Sequence, residues 1–469
     1  MSSKCLKFIS GAQEGKVLDC VVVGAGFAGL TATKELIERG YDVALVEARD
    51  RVGGRVVSAT LSGGEVIDLG GQWVAPSHDR MLELVKDAGL ELIPANPGML
   101  TLVQHGEIRN VAQSDSDDDA RTPFAVADLG QGLMRLRRLA ERAGQDDVWA
   151  EANAVWLDQS IDRWIVSNLR TPTGRRDIRA AMKAVFESPL DKISLRQALG
   201  KVREGIDMEN LIAANGDIGQ ARVRGGLAQL PERMAAEIGD RLRYRFVVEH
   251  IEQDEDHVVV HPMFGEPLEA RTVILALPPW LAIRIRVTPP LADWREGAVR
   301  KVGAGNVIKC YLVYERPWWR DKGLSGQMSA DEGAVRVTFD CTDDPDGRGV
   351  LMGFFEGAEA SMLAKFSRSM RERVFKDMLV DVFGPQAAHP LEYIDIDWAA
   401  EEFTRGSHGA HFAPGVWNVT GAELGVPCGR IYFAGAEYAS KFNGYMEGAV
   451  RSAHETAQSV IVRINEKTA

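Results

Sequence analysis

The sequence predicts an α/β fold in which a parallel-sheet domain, discontinuous in sequence, is interleaved with an α+β domain. Three observations predict it. A strand, a glycine turn, a helix and a second strand follow one another between Asp19 and Arg55. Apolar strands of the same buried type return far along the chain, at Thr272–Pro279 and Gly429–Gly435. Between these stretches lie a helix-rich segment and a second long segment, too long to be insertions in a single small core.

In the opening unit, Cys20–Val23 is a short apolar run of the kind a strand buried on both faces shows. Gly24, Gly26 and Gly29 follow in the pattern G-x-G-x-x-G. Thr31–Arg39 reads as a helix stopped by Gly40, and Val43–Val46 is a second strand ending at Glu47. This order makes a Rossmann-type dinucleotide site of what would otherwise be a glycine turn. Gly24 permits the tight turn, Gly26 lets backbone approach a pyrophosphate, and Gly29 lets the helix sit close on the strand. Phe27 and Ala28, inside the glycine turn, join the cofactor-binding residues, and the free N–H groups and positive end of the helix face the phosphates. Glu47, followed by Ala48, can accept hydrogen bonds from a ribose diol. Its charge would repel a 2′-phosphate, which argues against NADP.

At 469 residues the chain holds about two to three domains' worth of sequence. Its 45% hydrophobic and 26% charged content is ordinary for a globular protein. A formal net charge of −12 gives no support for nucleic-acid or anionic-membrane binding, and neither partner is expected. The N-terminal stretch to Asp19 lacks the long apolar core and small-residue cleavage site of a signal peptide. No run of about eighteen apolar residues occurs, at the C-terminal end or elsewhere, so no membrane span is expected. Cys5, Cys20, Cys310, Cys341 and Cys428 are odd in number, scattered and without C-x-x-C spacing. Cys20 and Cys310 sit in apolar strands as core residues, and a reducing cytoplasm is the expected compartment.

Beyond the opening unit, Arg49–Arg55 brings a second glycine pair, Gly53 and Gly54. Arg55 is available to the diphosphate there and Arg49 to the adenosine end. Val66–Leu69 reads as a strand, and Gly70 and Gly71, followed by Gln72 and Trp73, form a third glycine cluster. Three clusters so close together suggest a large flat ligand touched repeatedly by backbone. The strings Val21–Leu36, Val43–Arg55 and Asp68–Pro76 resemble the flavin-containing amine oxidase family, which includes the monoamine oxidases. The resemblance implies FAD as the dinucleotide, with its ring reached by later segments.

Arg80–Gly89 has the apolar spacing of an amphipathic helix ending at glycine. Ser114–Asp119 is a solvated charge run, with no paired glycine or distal acid to complete a calcium loop. Phe124–Ala214 is helix-rich cover for a substrate cavity, and Trp156, Trp164 and Phe186 read as core. Arg224-Gly-Gly marks a return to the nucleotide domain, followed by a helix that tolerates Pro231 near its first turn. Arg245–Ile251 and Val258–His261 read as a hairpin, where the resemblance implies that Val248 pairs its backbone with adenine. The boundaries that follow are 17–75, 218–280 and 415–465 for the FAD-binding domain, with 76–217 and 281–414 for the substrate-binding domain.

Val307–Tyr314 is a strand in which one lysine, Lys309, interrupts an apolar run. A buried lysine is expensive unless it is paired or neutral; snorkelling from an edge strand is the alternative. The resemblance implies a lysine that holds a water against flavin N5. Trp398 closes a strand starting near Tyr393, and the resemblance places it along the flavin, with core packing as the alternative. In Thr404–Gly415, the family's flavin-attaching cysteine aligns with Ser407, which cannot form the thioether. FAD is therefore expected to be noncovalent. The first wall of the family's aromatic cage, a tyrosine, aligns with His408, or with His411 if a small gap intervenes. These two histidines have no third ligand nearby, and no metal site is expected.

Gly429–Gly435 is followed by Ala436 and Glu437, and then Asn443–Val450 opens a helix running to about Ile464. A helix N-terminus there can aim N–H groups at charge on a reduced flavin. The family's GYMEGA motif is present in full. It implies Tyr445 as one cage wall, Met446 as a backbone donor to the pyrimidine ring, and Glu437, beyond Gly435, as a ribityl or phosphate-region contact.

The expected reaction is oxidation of a small amine to an imine, hydrolysed to a carbonyl, with dioxygen reduced to hydrogen peroxide. Lys309, Trp398, Tyr445 and His408 are the expected catalytic set, and no dedicated protein base is required. An L-amino-acid oxidase is one rival, and would need a cavity arginine such as Arg222, Arg284 or Arg286. An amine dehydrogenase and a flavin-binding protein without turnover are the others; the last needs none of Lys309, Trp398 and Tyr445. A homodimer is left open.

Overall fold

Leu18–Val23 lies at the centre of an eight-stranded sheet because both of its faces are apolar. The computed structural model describes residues 17–104, 106–112, 123–186, 190–203, 220–330, 332–407, 410–412 and 424–466. Leu18–Val23 pairs in parallel with Val43–Val46 on one side and with Leu268–Leu275 on the other. Leu268–Leu275 carries Val258–Pro262 antiparallel along its first half and Ile431–Phe433 parallel along its second. Val248–Gln253 and Arg286–Thr288 complete that edge of the sheet, and Leu242–Arg243 the other.

The alternation of side chains along the central strand divides its burial between two cores. Cys20 and Val22 pack with Leu30 and Leu36 of the helix Phe27–Glu38, Met234 of Gln229–Ile238, and Val450 and Ala453 of Met446–Glu466. Val21 and Val23 pack on the other face with Ile251, Val260 and Val287. Each fully buried aliphatic side chain contributes about 1.5–3 kcal/mol. Burial on both faces therefore fixes a strand of only six residues whatever its local propensity.

A second, seven-stranded sheet runs in the order Glu392–Asp397, Val307–Tyr314, Gly349–Glu356, Val335–Asp340, Leu324–Ala330, Met99–Gln104, Glu107–Ala112. The helix Arg368–Phe383 covers it through Phe375, Leu379 and Phe383. A separate helical cluster between residues 123 and 203 buries Trp164 and Phe186 as expected. Trp156 departs from the expectation: it is 45% exposed, because its four-residue helix turns Leu157 inward instead. The placement of residues 281–414 wholly with the second layer also needs correction. Arg286–Thr288 hydrogen-bonds in parallel to Val248–Gln253 of the first sheet, with Val287 in that sheet's core. Ser114–Asp119 lies outside the described residues. No helix among the described residues is long and apolar enough to cross a membrane.

Candidate active site

The segment Asp68–Trp73 is where stretches separated by hundreds of residues meet. Lys309 reaches it from Val307–Tyr314, which is flanked on both sides by strands and buried along its whole length. That position excludes the snorkelling alternative: Lys309 is 3% exposed. Its Nζ donates to the carbonyls of Asp68 and Gly70 and to Gln72 Oε1. Burial pushes its ammonium down to about 8, while the nearby Cys341 and Asp68 pull the other way. Two residues along the same strand face, the Tyr311 hydroxyl donates to the same Asp68 carbonyl and to Gln72 Oε1.

Trp398 reaches the same segment, its Nε1 donating to the Leu69 carbonyl at 3.0 Å. A Cβ on Gly70 would stand 3.1 Å from the Trp398 ring and 1.9 Å from the Arg55 carbonyl, and one on Gly71 would stand 2.9 Å from Met446 Sδ. These two glycines are small because the protein itself crowds onto them. Trp73 continues the segment with its ring 5.2 Å from that of Phe339. Arg55 closes the assembly, donating to both oxygens of the buried Glu437 at 2.6 and 3.0 Å and to the Ser407 carbonyl at 3.0 Å. Ser407 Oγ donates to the Gly305 carbonyl. Gly435, just before Glu437, has φ +147°, a conformation that side chains rarely adopt.

At the dinucleotide end, Glu47 is buried and accepts N–H groups from Ala25 at 2.7 Å and Arg49 at 2.9 Å, one on each oxygen. A carboxylate has about four lone-pair directions, so each oxygen retains room for a ribose hydroxyl. Glu47 also ties in the Val248 strand, through its carbonyl and the Phe246 N–H. The Arg49 side chain donates to Thr404 Oγ1 at 2.7 Å and lies over the Phe403 ring.

Gly26 is the test of whether a dinucleotide fits. It is the N-cap of Phe27–Glu38, no side chain caps that helix, and its φ of −79° suits any residue. A Cβ built there meets nothing within 4 Å. No neighbour in the protein requires a glycine at this point, whereas a pyrophosphate on the helix N-terminus does. Gly54 faces the same opening, 3.5 Å from the Gly26 Cα to its own built Cβ.

A model of the flavin containing amine oxidoreductase family matches residues 27–461. The chain belongs to that family. It is 30% identical over 452 residues to the flavin-containing amine oxidase A of Canis lupus familiaris, covering 96% of this chain and 86% of that one. It is 32% identical over 446 residues to a putative flavin-containing monoamine oxidase, AofH, of Mycobacterium tuberculosis, covering 94% and 96%. Among solved structures it resembles a wild-type putrescine oxidase bound to putrescine, with TM-score 0.88, 30% identity, and 96% and 100% of the two chains covered. It also resembles the cyclohexylamine oxidase of Brevibacterium oxydans IH-35A, with TM-score 0.85 and 31% identity over 96% and 100%. The protein is thus a flavoenzyme, an oxidoreductase acting on amines with FAD as its cofactor.

Within this amine oxidoreductase, Tyr445 follows Gly444, whose φ is +85°, and precedes Met446, which touches Gly71. Two residues that the sequence did not single out hold the tyrosine. Lys201 Nζ lies 4.6 Å above its ring and donates to the Asn443 carbonyl, and the His78 ring meets it edge-on at 5.7 Å. His78 is itself held by the Ala75 N–H on Nδ1 at 3.2 Å, and burial lowers its pKa. Tyr311 was legible in principle, two positions from Lys309 on one strand face; Lys201 and His78 reach Tyr445 from unrelated segments and carried no signal. His408 lies outside the described residues. His411 lies on Ala410–Phe412, its backbone paired with Gly303. Of the three arginines a carboxylate-binding oxidase could use, Arg222 is bound to Asp343 at 2.7 Å, and Arg284 and Arg286 are exposed.

Proposed function

We propose that the protein oxidises a small amine at the carbon next to nitrogen, with FAD held noncovalently and dioxygen as the electron acceptor. One observation carries the reading: Lys309, Trp398 and Met446 converge on the Asp68–Gln72 backbone. A fold that merely bound a dinucleotide would not need a buried lysine there. Gly24–Gly29 would hold the pyrophosphate, Glu47 and Ala48 the ribose, and Val248 the adenine, as a Rossmann-type unit does. Arg55, Gly435 and Glu437 would serve the ribityl side, and Gly70–Trp73, Trp398 and Met446 the ring. Bound FAD supplies the redox chemistry, taking up the hydride lost from carbon and passing the electrons to dioxygen as hydrogen peroxide.

The chain's own residues do the rest. The Tyr445 face, buttressed by Lys201 and His78, receives the amine, with His408 or His411 proposed for the opposite wall. A desolvated site disfavours the ammonium and leaves the neutral amine, whose lone pair assists loss of the hydride. Burial makes the Lys309 ammonium a readier proton donor near neutral pH. The imine leaves and is hydrolysed by water to an aldehyde or ketone.

The putrescine-bound relative supports a small aliphatic amine as the substrate class. The pairing of Arg222 with Asp343 weighs against an amino-acid substrate. Ser407 supports noncovalent flavin, since its hydroxyl cannot make the thioether. The two sheets support the proposed FAD-binding and substrate-binding domains, with the former's middle stretch extended past residue 280 to Thr288. Cytoplasmic placement is part of the same proposal, supported by the free thiols of Cys20, Cys310, Cys341 and Cys428. The deciding experiment mixes the purified holoenzyme anaerobically with a panel of amines and then admits air. Bleaching of the flavin by amines, with peroxide on reoxidation, is expected. Bleaching only by amino acids or by NADH would overturn the reading.

A further inference from the structure

We propose that His250, Glu252 and His261 form a binding site for one divalent transition-metal ion of the zinc class, on the edge of the first sheet. Val248–Gln253 and Val258–Pro262 are antiparallel, with His250 directly opposite His261. Glu252 is two residues beyond His250, so all three side chains stand on one face. The pairing of strands thus gathers two imidazoles and a carboxylate, the donor set that borderline ions take.

The distances are close to those an ion would impose. His250 Nδ1 and His261 Nε2 lie 3.4 and 3.7 Å from Glu252 Oε1. A tetrahedral ion with bonds of about 2.0–2.1 Å separates its donors by about 3.4 Å. All three donor atoms lie within 4.8 Å of one another, so only the histidine–histidine gap has to close. The rings are stacked with planes 18° apart, and a metal sits in the plane of each imidazole it binds. Closure therefore means turning the rings, which their half-buried positions allow.

Two further observations favour an ion over a simple histidine–glutamate pair. His250 Nε2 lies 2.9 Å from Thr288 Oγ1, and donation to that hydroxyl leaves the Nδ1 lone pair facing Glu252. Such an outer hydrogen bond fixes the tautomer of most metal-bound histidines. His261 Nε2 is shielded from solvent yet has no hydrogen-bond partner among the described residues. A proton there, at 3.7 Å from Glu252, satisfies nothing. The neighbouring Arg286 charge reaches His250 and works against a dication. With three protein ligands, water would take the fourth position. Thr288 links it to Arg286–Thr288, so an ion would clip three strands together and stabilise the native state by mass action.

The test uses the full-chain holoenzyme, stripped with EDTA and desalted, then titrated with zinc chloride and separately with cobalt chloride. One zinc per chain, a thermal midpoint that rises with zinc, and the visible absorption of tetrahedral cobalt are expected. His261→Asn and Glu252→Gln should each weaken zinc binding about tenfold or more, with flavin content and metal-free amine turnover unchanged. No binding, or equal affinity in the wild type and both variants, overturns the proposal. Should His261→Asn lose its flavin through misfolding, the exposed Glu252→Gln decides alone.

Discussion

Gly26 and Gly29 belong to one motif, yet they are glycines for opposite reasons. A Cβ on Gly29 would lie 1.8 Å from the Gly24 carbonyl, so the fold itself forbids a side chain there. A Cβ on Gly26 meets nothing. Gly26→Ala should therefore change stability by less than about 1 kcal/mol while lowering FAD content sharply. Gly29→Ala should lower stability by about 2 kcal/mol or more, since backbone must move. Urea unfolding read beside the flavin-to-protein absorbance ratio separates the two; equal flavin loss at equal stability would contradict the distinction. At Lys309, the ordinary value of 10.5 holds in the unfolded chain and about 8 in the folded one. Below about pH 8 both states carry the proton and the burial penalty is fully present. As pH rises from there, the folded state releases its proton first, and stability rises. Relative to Lys309→Met, the wild type should gain about 2 kcal/mol between about pH 7 and about pH 9.5, read from urea midpoints. The same substitution should slow flavin reduction or reoxidation by about tenfold or more without matching loss of FAD.

At the scale of elements, Glu447 shows what a motif conceals. Its side chain is wholly buried at the start of Met446–Glu466 and accepts the Arg80 and Met81 N–H groups at 3.2 and 2.9 Å. Those are first-turn donors of the helix Asp79–Asp87, which has no side-chain cap of its own. Arg451, one turn along, donates to Glu447 at 2.6 Å. The acid of GYMEGA is thus a capping residue supplied by another helix. Glu447→Ala should cost about 2–4 kcal/mol through the donors and the arginine it leaves unpaired, with denaturant unfolding as the measurement. A loss within experimental error would assign the cap to water. The helices and central strands were legible because period and burial are written in neighbouring residues, as in Val307–Tyr314. The cap was not, since its partners are more than 360 residues apart. The same holds for the hydrogen bonds of Lys309, whose acceptors lie about 240 residues away.

Across the whole molecule, the interleaving of two sheets brings opposite ends of the chain to one place. Arg55 holds Glu437 and the Ser407 carbonyl from the other end of the sequence. With a serine hydroxyl at residue 407, acid precipitation should leave the yellow colour in the supernatant. A coloured pellet would mean a covalent link formed elsewhere. The strand, glycine turn, helix and strand of the opening unit could be read from spacing, but the order of strands in the second sheet and the run of Arg286–Thr288 into the first could not. Three residues carry too little periodicity to declare which sheet they join.

Asp68, Leu69 and Gly70 grip Lys309 and Trp398 with carbonyl oxygens. Every amino acid offers a carbonyl, so this grip survives exchange of most side chains along the segment. Gln72, which holds Lys309 through its side chain, and the two glycines that admit Arg55, Trp398 and Met446 are the exceptions. Side chains around the segment can then change without disturbing the contacts that hold Lys309 and Trp398. Identity of 30–32% to relatives over nearly the whole chain is what such freedom permits.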